Sequence, residues 1–285
     1  MQRTMIAILV LTAALTTIAS NRGARADYDK RALTAGNSLV VDGPQTTSYE
    51  QTEDFHQTYP LSPTGRVSIS NINGSVRISV WDGNEVKVDA VKRASTREGL
   101  EEVKVEVTTS ADSVRIKTDY PDMNSQFGGR ETRRSHNLAS VDYTLTIPRK
   151  ARIDSAELVN GSLDIEGVEG DVQAALVNGT VKARGLTGEV KLSTVNGGVD
   201  ATITRLDESK PTSLSSVNGS IVLTIPANAN AQVRASTIHG GITNDFGLQV
   251  DDGEFVGHNL SGQIGSGGAR IRLNNVNGSI SIKRG

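Results

Sequence analysis

The chain of 285 residues contains no cysteine. Disulfide bonds, thiolate metal sites and cysteine nucleophiles are therefore excluded, as is a bacterial lipid anchor attached to a cysteine. Aromatic residues make up only 4% of the sequence, so its apolar content comes mainly from Val, Ile, Leu and Ala. This composition indicates a thin interior built from stacked rows of similar aliphatic side chains.

The chain also lacks an excess of either charge, because 30 Lys and Arg are balanced by 32 Asp and Glu. A dedicated nucleic-acid-binding protein would show a basic patch or stripe. We therefore expect no nucleic-acid partner.

Long apolar runs are absent except near the start, where Met5 to Ala19 follow the charged Arg3. The run is short for a membrane span, and Ala24-Arg25-Ala26 fits the small–x–small pattern of a signal-peptide cleavage site. We predict a signal peptide over residues 1–26, with an uncleaved anchor as the alternative. The mature protein would then be exported to the periplasm or the extracellular space, with no stable membrane span.

Three further regions follow the predicted signal peptide. Residues 27–64 are polar and weakly patterned, which is typical of an irregular N-terminal arm or linker. Residues 65–150 alternate apolar and polar positions and are predicted to form β-strands, with a break at residues 121–139. Residues 151–285 are predicted to form a repeat region.

Residues 158–165, LVNGSLDI, are a motif that the chain repeats in varied form. The other copies are NINGSVRI at 71, LVNGTVKA at 176, TVNGGVDA at 194, SVNGSIVL at 216, TIHGGITN at 237 and NVNGSISI at 275. From residue 160 onward the Asn or His of the motif recurs after 18, 18, 22, 21 and 38 residues. A period near 20 residues is the signature of a repeat architecture, and the last interval indicates a degenerate copy or an insertion.

Two architectures compete for this pattern. Asn-Gly between apolar alternations is a strong signal for a two-residue β-hairpin. A parallel β-solenoid would instead use Asn-Gly at a corner of each coil, since both residues tolerate left-handed backbone angles. Gly170-Asp171-Val172 and Gly188-Glu189-Val190 indicate a second corner. The period favours the all-β parallel solenoid, with right-handed crossovers as the default.

The residue before Asn-Gly is Val or Ile in each of the seven copies, so we expect this position to be buried. Stacked Asn side chains can form hydrogen-bonded ladders along such an axis, although a polar row of this kind could also bind a glycan. The predicted turn ladder comprises Asn73, Gly74, Asn160, Gly161, Asn178, Gly179, Asn196, Gly197, Asn218, Gly219, His239, Gly240, Asn277 and Gly278.

The strand-rich segment RVSISNINGSVRISVWDGNEVKVDAVKRA, the segment VDYTLTIP and the serial V-N-G-x-V copies together resemble a known bacterial family. The resemblance is to the β-strand-repeat "putative adhesin" domain family of unknown function, which is related to the head domain of autotransporter adhesins. It covers roughly residues 65–285 and implies a β-helix-like fold in an exported or envelope protein.

The break at residues 121–139 contains the candidate ligand-binding residues Arg130, Arg133, Arg134 and His136. Arginines in a long loop can contact phosphate, lipid headgroups or other anionic envelope polymers, although a solvated loop would have the same composition. Open solenoid ends are edge strands that invite pairing. We therefore also expect the final copy, NVNGSISI, to offer an end for oligomerisation.

The sequence contains few of the residue patterns that are typical of catalytic or metal-binding sites. His56, His136, His239 and His258 form no H-E-x-x-H pair, and the acidic turn at residues 251–254 lacks the ligand spacing of a calcium loop. The carboxylates that could serve glycoside hydrolysis occupy changing repeat positions; they are Asp164, Asp171, Asp200, Asp207 and Glu208. We predict no metal and no cofactor.

The sequence therefore favours a non-enzymatic exported β-solenoid that offers an adhesin-like binding or assembly surface at the cell envelope. Its partner would be an anionic envelope polymer or a protein. A carbohydrate-active β-helix enzyme and a structural envelope protein without a ligand are the alternatives.

Overall fold

The computed structural model of the protein describes residues 51–120, 139–252 and 257–285. The fold is all-β, as predicted, and consists of two large open sheets with 11 and 10 strands, here called the first and the second sheet. The predicted signal peptide lies outside the described residues. Among the residues that the structure describes, no helix is long and apolar enough to cross a membrane.

The first sheet contains the strands that precede the Asn-Gly corners. Its strands are β2 (Arg66–Asn73), β5 (Lys104–Ser110), β6 (Ser113–Asp119), β8 (Arg152–Asn160), β10 (Val172–Asn178), β12 (Val190–Asn196), β14 (Thr212–Asn218), β16 (Ala231–His239), β18 (Val250–Asp252), β19 (His258–Ile264) and β20 (Ala269–Asn277). Their order across the sheet is β18-β19-β16-β20-β14-β12-β10-β8-β2-β6-β5.

The second sheet contains the strands that follow those corners. Its strands are β1 (Gln51–Pro60), β3 (Val76–Trp81), β4 (Glu85–Ala94), β7 (Ser140–Pro148), β9 (Leu163–Glu166), β11 (Val181–Leu186), β13 (Val199–Ile203), β15 (Ile221–Ile225), β17 (Ile242–Asn244) and β21 (Ile280–Arg284). Their order is β1-β4-β7-β3-β9-β11-β13-β15-β21-β17. One coil is a strand of the first sheet, a corner and the next strand in the second sheet.

Successive coils stack in parallel and in register. Val172 of β10 lies beside Val190 of β12, and Val181 of β11 lies beside Val199 of β13. The hairpin alternative is wrong, because β8 and β9 flank an Asn-Gly corner and yet belong to different sheets. The chain therefore forms a solenoid-like stack of repeats.

The core lies between the two sheets and consists of rows of aliphatic side chains. Strand alternation turns every second residue inward, and equivalent inward residues of successive coils lie side by side. One such buried row of the second sheet is formed by Val76, Leu163, Val181, Val199, Ile221, Ile280 and Ile242. Burial of each side chain of this size contributes about 1.5–3 kcal/mol, which explains how the chain builds a core with few aromatic residues.

The coils do not stack in chain order at the C-terminal end. β20 lies between β14 and β16, and β21 lies between β15 and β17, so the last motif copy is inside the stack. The expectation that NVNGSISI forms the exposed end is therefore wrong. The last coil in space is β16–β17, and the antiparallel strands β19 and β18 extend the first sheet beyond it. These two strands are the insertion that lengthens the final motif interval.

The N-terminal end is extended in the same manner. Beyond the β2–β3 coil lies the coil β6–β7, followed by β5 in the first sheet and by β4 and β1 in the second. Strand β1 differs from the expectation of an irregular arm over residues 27–64. It is an exposed edge strand from which Phe55 and Tyr59 pack against the core, so its sequence shows little of the alternation that marks a half-buried strand.

A short helix, α1 (Arg97–Glu102), packs beside β4. The buried Lys92 of β4 donates from Nζ to the carbonyl oxygens of Leu100 and Val103, both at 3.2 Å. Its ammonium also pairs with Glu53 of β1 at 2.9 Å. The lysine thus satisfies carbonyls at the end of the helix and ties the helix to two strands.

Candidate binding surface

Each Asn-Gly corner brings the backbones of neighbouring coils into contact. A Cβ atom on Gly179 would lie 1.8 Å from the carbonyl oxygen of Gly161, and one on Gly197 would lie 2.0 Å from that of Gly179. The same approach, at 2.0–2.2 Å, occurs at Gly74, Gly161, Gly219, Gly240 and Gly278. No side chain fits at these distances, so the close approach itself requires glycine.

The asparagine side chains of the corners form a continuous ladder along the stack. From Asn160 onward, each amide nitrogen donates to the amide oxygen of the preceding coil in the stack at 2.8–2.9 Å. In spatial order the ladder runs through Asn73, Asn160, Asn178, Asn196, Asn218 and Asn277. His239 occupies the next corner, but no ladder hydrogen bond to it occurs among the described residues. At the opposite end the backbone N–H of Asn73 donates to the hydroxyl of Tyr120 at 3.2 Å.

The buried position of the corner lies two residues before the Asn and is often polar. Thr194 is 1% exposed, and its hydroxyl donates to the carbonyl oxygen of Gly179 at 3.0 Å. Ser216 and Asn275 donate in the same way to the carbonyls of Gly197 and Gly219. These side chains replace the water that the corner carbonyls would otherwise bind, which makes a polar residue acceptable inside the stack.

The Val or Ile before each Asn faces outward, contrary to our expectation that it is buried. Val159, Val177 and Ile238 are 38%, 39% and 43% exposed. The reason is the period of the strand, because the preceding residue points into the core and its neighbour must then point out. We call the seven residues the outer apolar row: Ile72, Val159, Val177, Val195, Val217, Val276 and Ile238.

A second outward row lies beside the outer apolar row and contains short side chains. The small row consists of Ala175, Ser193, Ser215, Asn274 and Ser236, which are neighbours in register. The Asn ladder, the outer apolar row and the small row together form the Asn-Gly edge surface. Its side chains are short and repeat at the strand spacing of about 4.8 Å, so it can contact an extended, repetitive partner over several coils.

The predicted ligand-binding residues Arg130, Arg133, Arg134 and His136 lie outside the described residues. In the chain they follow β6 and precede β7. Their contribution to a binding site stays a prediction.

The histidines and carboxylates are dispersed over the described surface. His56 Nδ1 pairs with Asp89 Oδ1 at 2.7 Å on an exposed part of β1 and β4. Asp164 and Asp200 lie on the outer face of the second sheet with Lys182 between them. No group of three or more His, Asp or Glu that could hold a metal occurs within residues 51–120, 139–252 and 257–285.

Two of the carboxylates considered for glycoside hydrolysis, Asp171 and Asp207, have a lowered pKa. Burial acts to raise the pKa of Asp171, but hydrogen bonds from Lys210 and from the backbone of Glu189, with the charges of Lys210 and Arg152, lower it overall. Hydrogen bonds from the side chain and backbone of Ser209 lower the pKa of Asp207. A general acid in glycoside hydrolysis needs a raised pKa, so neither residue has the environment of that role.

Residues 159–283 match the family model described as Toastrack DUF4097. Among solved structures, a "putative cell adhesion protein" from Clostridium sporogenes is 15% identical with a TM-score of 0.46, covering 82% of this chain and 100% of that chain. A "putative adhesin" from Bacteroides fragilis is 9% identical with a TM-score of 0.32, covering 81% of this chain and 97% of that chain. No curated protein matches the chain.

Proposed function

We propose that the chain, whose residues 159–283 match the Toastrack DUF4097 family model, is an exported, non-enzymatic β-solenoid with an adhesin-like role. Its Asn-Gly edge surface binds or assembles with a component of the cell envelope. Export is part of the proposal because of the predicted signal peptide over residues 1–26. The proposal also includes right-handed coiling of the solenoid.

The observation that carries this proposal is the exposure of the outer apolar row. Isolated apolar residues are common on protein surfaces, but a contiguous exposed apolar patch marks an interaction site. Here seven β-branched side chains lie side by side across neighbouring strands. Val159, Val177 and Ile238 are 38–43% exposed, and the other four are partly exposed.

The shape of the surface favours an extended partner over a small molecule. The side chains are short, and the coils of β10, β12, β14 and β20 present the same three kinds of group, an amide, a β-branched apolar side chain and a small or amide side chain. A polymer or a β-rich protein can repeat the same weak contact at each coil, and linked contacts add to a high avidity. The arginines at residues 130, 133 and 134 would add an electrostatic contact with an anionic polymer.

The proposal is tested by incubating residues 27–285 with cell-envelope fractions at low and high salt. The first variant combines Val159→Thr, Val177→Thr and Val195→Thr. It replaces one methyl group of each of these valines in the outer apolar row by a hydroxyl. A Val222→Thr variant is the control, because Val222 points outward from the second sheet. A third variant replaces Arg130, Arg133 and Arg134 by Ala.

We expect the triple threonine variant to be retained about tenfold less, through the loss of three buried methyl contacts. The Val222→Thr control should be retained like the original chain. Salt-sensitive retention that the arginine variant loses would assign an electrostatic share to residues 130–134. The proposal is wrong if no envelope fraction retains the protein, or if all variants are retained equally.

A further inference from the structure

Two arginines lie directly opposite each other on the outer face of the first sheet. Arg234 of β16 is the register partner of Arg272 of β20 in a parallel pair. Both residues are exposed, and the strands are about 4.8 Å apart. Like charges in directly opposite positions destabilise a sheet, so this pair opposes folding unless something else compensates for it.

The described residues contain no such compensation. Neither Arg234 nor Arg272 takes part in any ion pair or side-chain hydrogen bond among residues 51–120, 139–252 and 257–285. A third arginine, Arg270, is the exposed neighbour of Gln232 one step along the same strands. Asp251 of β18 is separated from β16 by β19, and the Glu208 carboxylate lies beside Gly268, just before β20. Within the described part of the chain, neither residue forms an ion pair with Arg234 or Arg272.

The arginine pair lines a shallow groove of about 280 Å³. Its polar lining residues are Arg234, Arg272, Ser236, Asn259, Ser261 and Asn274, and none of them is acidic. The hydroxyl of Ser236 donates to Oδ1 of Asn274 at 3.2 Å, which leaves the amide nitrogen of Asn274 as a donor. The groove thus combines two guanidinium groups with hydroxyl and amide donors, the set of groups that binds an oxyanion.

Elsewhere in the stack, cationic side chains that lie opposite each other have carboxylates nearby. Arg66 and Arg152 are register partners of the same kind, but Asp154 lies 3.8 Å from Arg66 and Asp171 lies 3.9 Å from Arg152. On the second sheet the signs alternate across one row, through Arg77, Asp164, Lys182 and Asp200. The uncompensated pair on β16 and β20 therefore departs from the pattern of the rest of the molecule.

We propose that the groove between β16 and β20 binds a phosphate group through Arg234 and Arg272. Guanidinium groups bind phosphate oxygens in bidentate fashion, and the bound anion would remove the repulsion between the two arginines. The phosphate is carried by a lipid headgroup or by a soluble compound. The groove shares Ser236 and Asn274 with the small row, but Arg234 and Arg272 lie outside the Asn-Gly edge surface. The inference therefore does not rest on the proposed envelope contact, and it is tested with purified components.

The experiment uses the full chain with two probes at low salt. Inorganic phosphate is titrated by calorimetry, and vesicles of phosphatidylglycerol are compared with vesicles of phosphatidylcholine by co-sedimentation. The variant is Arg234→Gln with Arg272→Gln, and the matched control is Arg66→Gln with Arg152→Gln. Both variants remove two opposite arginines from the same sheet, but the control removes a pair that already has carboxylate partners.

We expect the original chain to bind at least one probe, the Arg234/Arg272 variant to bind it at least about tenfold more weakly, and the control to stay within about twofold of the original chain. Binding of free phosphate alone would identify a soluble phosphate compound, whereas binding of phosphatidylglycerol vesicles would identify a lipid headgroup. Phosphate should raise the melting temperature of the original chain but not that of the variant. Without phosphate the variant should melt at the same or a higher temperature, because a repulsion has been removed.

Three results would overturn the proposal. The first is that the original chain binds neither probe. The second is that both double variants weaken binding equally, which would indicate general electrostatic attraction. The third is that the Arg234/Arg272 variant retains full affinity.

Discussion

The Asn-Gly edge repeats the same contacts in coil after coil, whereas the return edge, where the chain passes back from the second sheet to the first, changes each time. The return connections of four consecutive coils are residues 167–171, 187–189, 204–211 and 226–230. A Cβ atom on the corner glycine would lie 1.8–2.2 Å from a neighbouring backbone carbonyl oxygen in every coil with the Asn-Gly corner. At the return edge Gly170 and Gly188 come as close, at 2.1 and 2.2 Å, but the connections 204–211 and 226–230 contain no glycine. Sequence is restricted where backbone meets backbone and varies where the chain meets water.

At the return edge the coils are joined by backbone hydrogen bonds, such as that from the N–H of Val172 to the carbonyl oxygen of Glu189, and by charged side chains in place of an amide ladder. Asp171 accepts a hydrogen bond from Lys210 at 2.7 Å and another from the backbone N–H of Glu189 at 3.0 Å. Interactions of partly exposed ions are weak and depend on salt. We therefore expect substitutions at the Asn-Gly edge to cost more stability than substitutions at the return edge.

The largest effect should come from Gly179→Ala. Its Cβ would overlap the carbonyl oxygen of Gly161, so two coils must separate, at a cost of about 3 kcal/mol or more in the free energy of unfolding. Gly241→Ala is the control, because a Cβ at Gly241 has no atom within 4 Å. Chemical denaturation measures both variants, and an equal effect of the two would show that the close approach is not the restriction.

The second effect should come from Thr194→Val, which keeps the volume of a buried side chain and removes its hydroxyl. The carbonyl oxygen of Gly179 then loses its donor, and we expect a loss of about 1–2 kcal/mol. Val195→Thr introduces a hydroxyl at the neighbouring outward position. It should change the free energy of unfolding by less than about 0.5 kcal/mol. If the two exchanges have equal effects on the denaturation midpoint, the assignment of inside and outside at the corner is wrong.

The outward position of the Val or Ile before Asn-Gly shows which part of the surface could be predicted from the sequence. The motif predicts the corner, because Asn-Gly suits a tight bend and its period predicts a stack. Burial at Val177 was inferred from the uniformity of its position, whereas strand alternation from Ala174 and Leu176 places Val177 outside. Uniform apolar residues are thus not a sign of burial when the neighbouring position is the one that points inward.

The order of the coils could not be read from the sequence. The motif copies are too alike to indicate that β20 inserts between β14 and β16. The pairing of Arg234 with Arg272 depends on that insertion, since the two residues lie 38 positions apart in the chain. Neighbouring coils in space need not be neighbours in sequence, so charge patterns across strands require the structure.

A smaller effect should come from Asn178→Ala, which removes two ladder bonds at the Asn-Gly edge. The side chain of Asn178 donates to Asn160 and accepts from Asn196, both at 2.9 Å. Because the ladder is exposed and water can replace its partners, we expect a loss of about 1 kcal/mol. His239→Ala at the end of the ladder should leave the denaturation midpoint nearly unchanged, and a loss as large as that of Asn178→Ala would contradict this account.

The smallest effect should come from Asp171→Asn at the return edge, and it should depend on pH. The net lowering of the pKa of Asp171 means that the folded protein favours the charged carboxylate more than the unfolded chain does. The stabilisation of the folded state by the charged Asp171 is therefore present above the ordinary carboxylate pKa of about 3.9. This stabilisation is lost as the pH falls through the lower pKa of the folded state.

We expect Asp171→Asn to destabilise the protein at pH 7 by less than about 1 kcal/mol, the range of partly exposed ion pairs. The difference in stability between the two chains should vanish in acid. Thermal melting of both chains between pH 7 and pH 2.5 measures this convergence. A constant difference across that range would show that Lys210 and Glu189 do not stabilise the charge on Asp171, and the return edge would then depend on packing in the same way as the Asn-Gly edge.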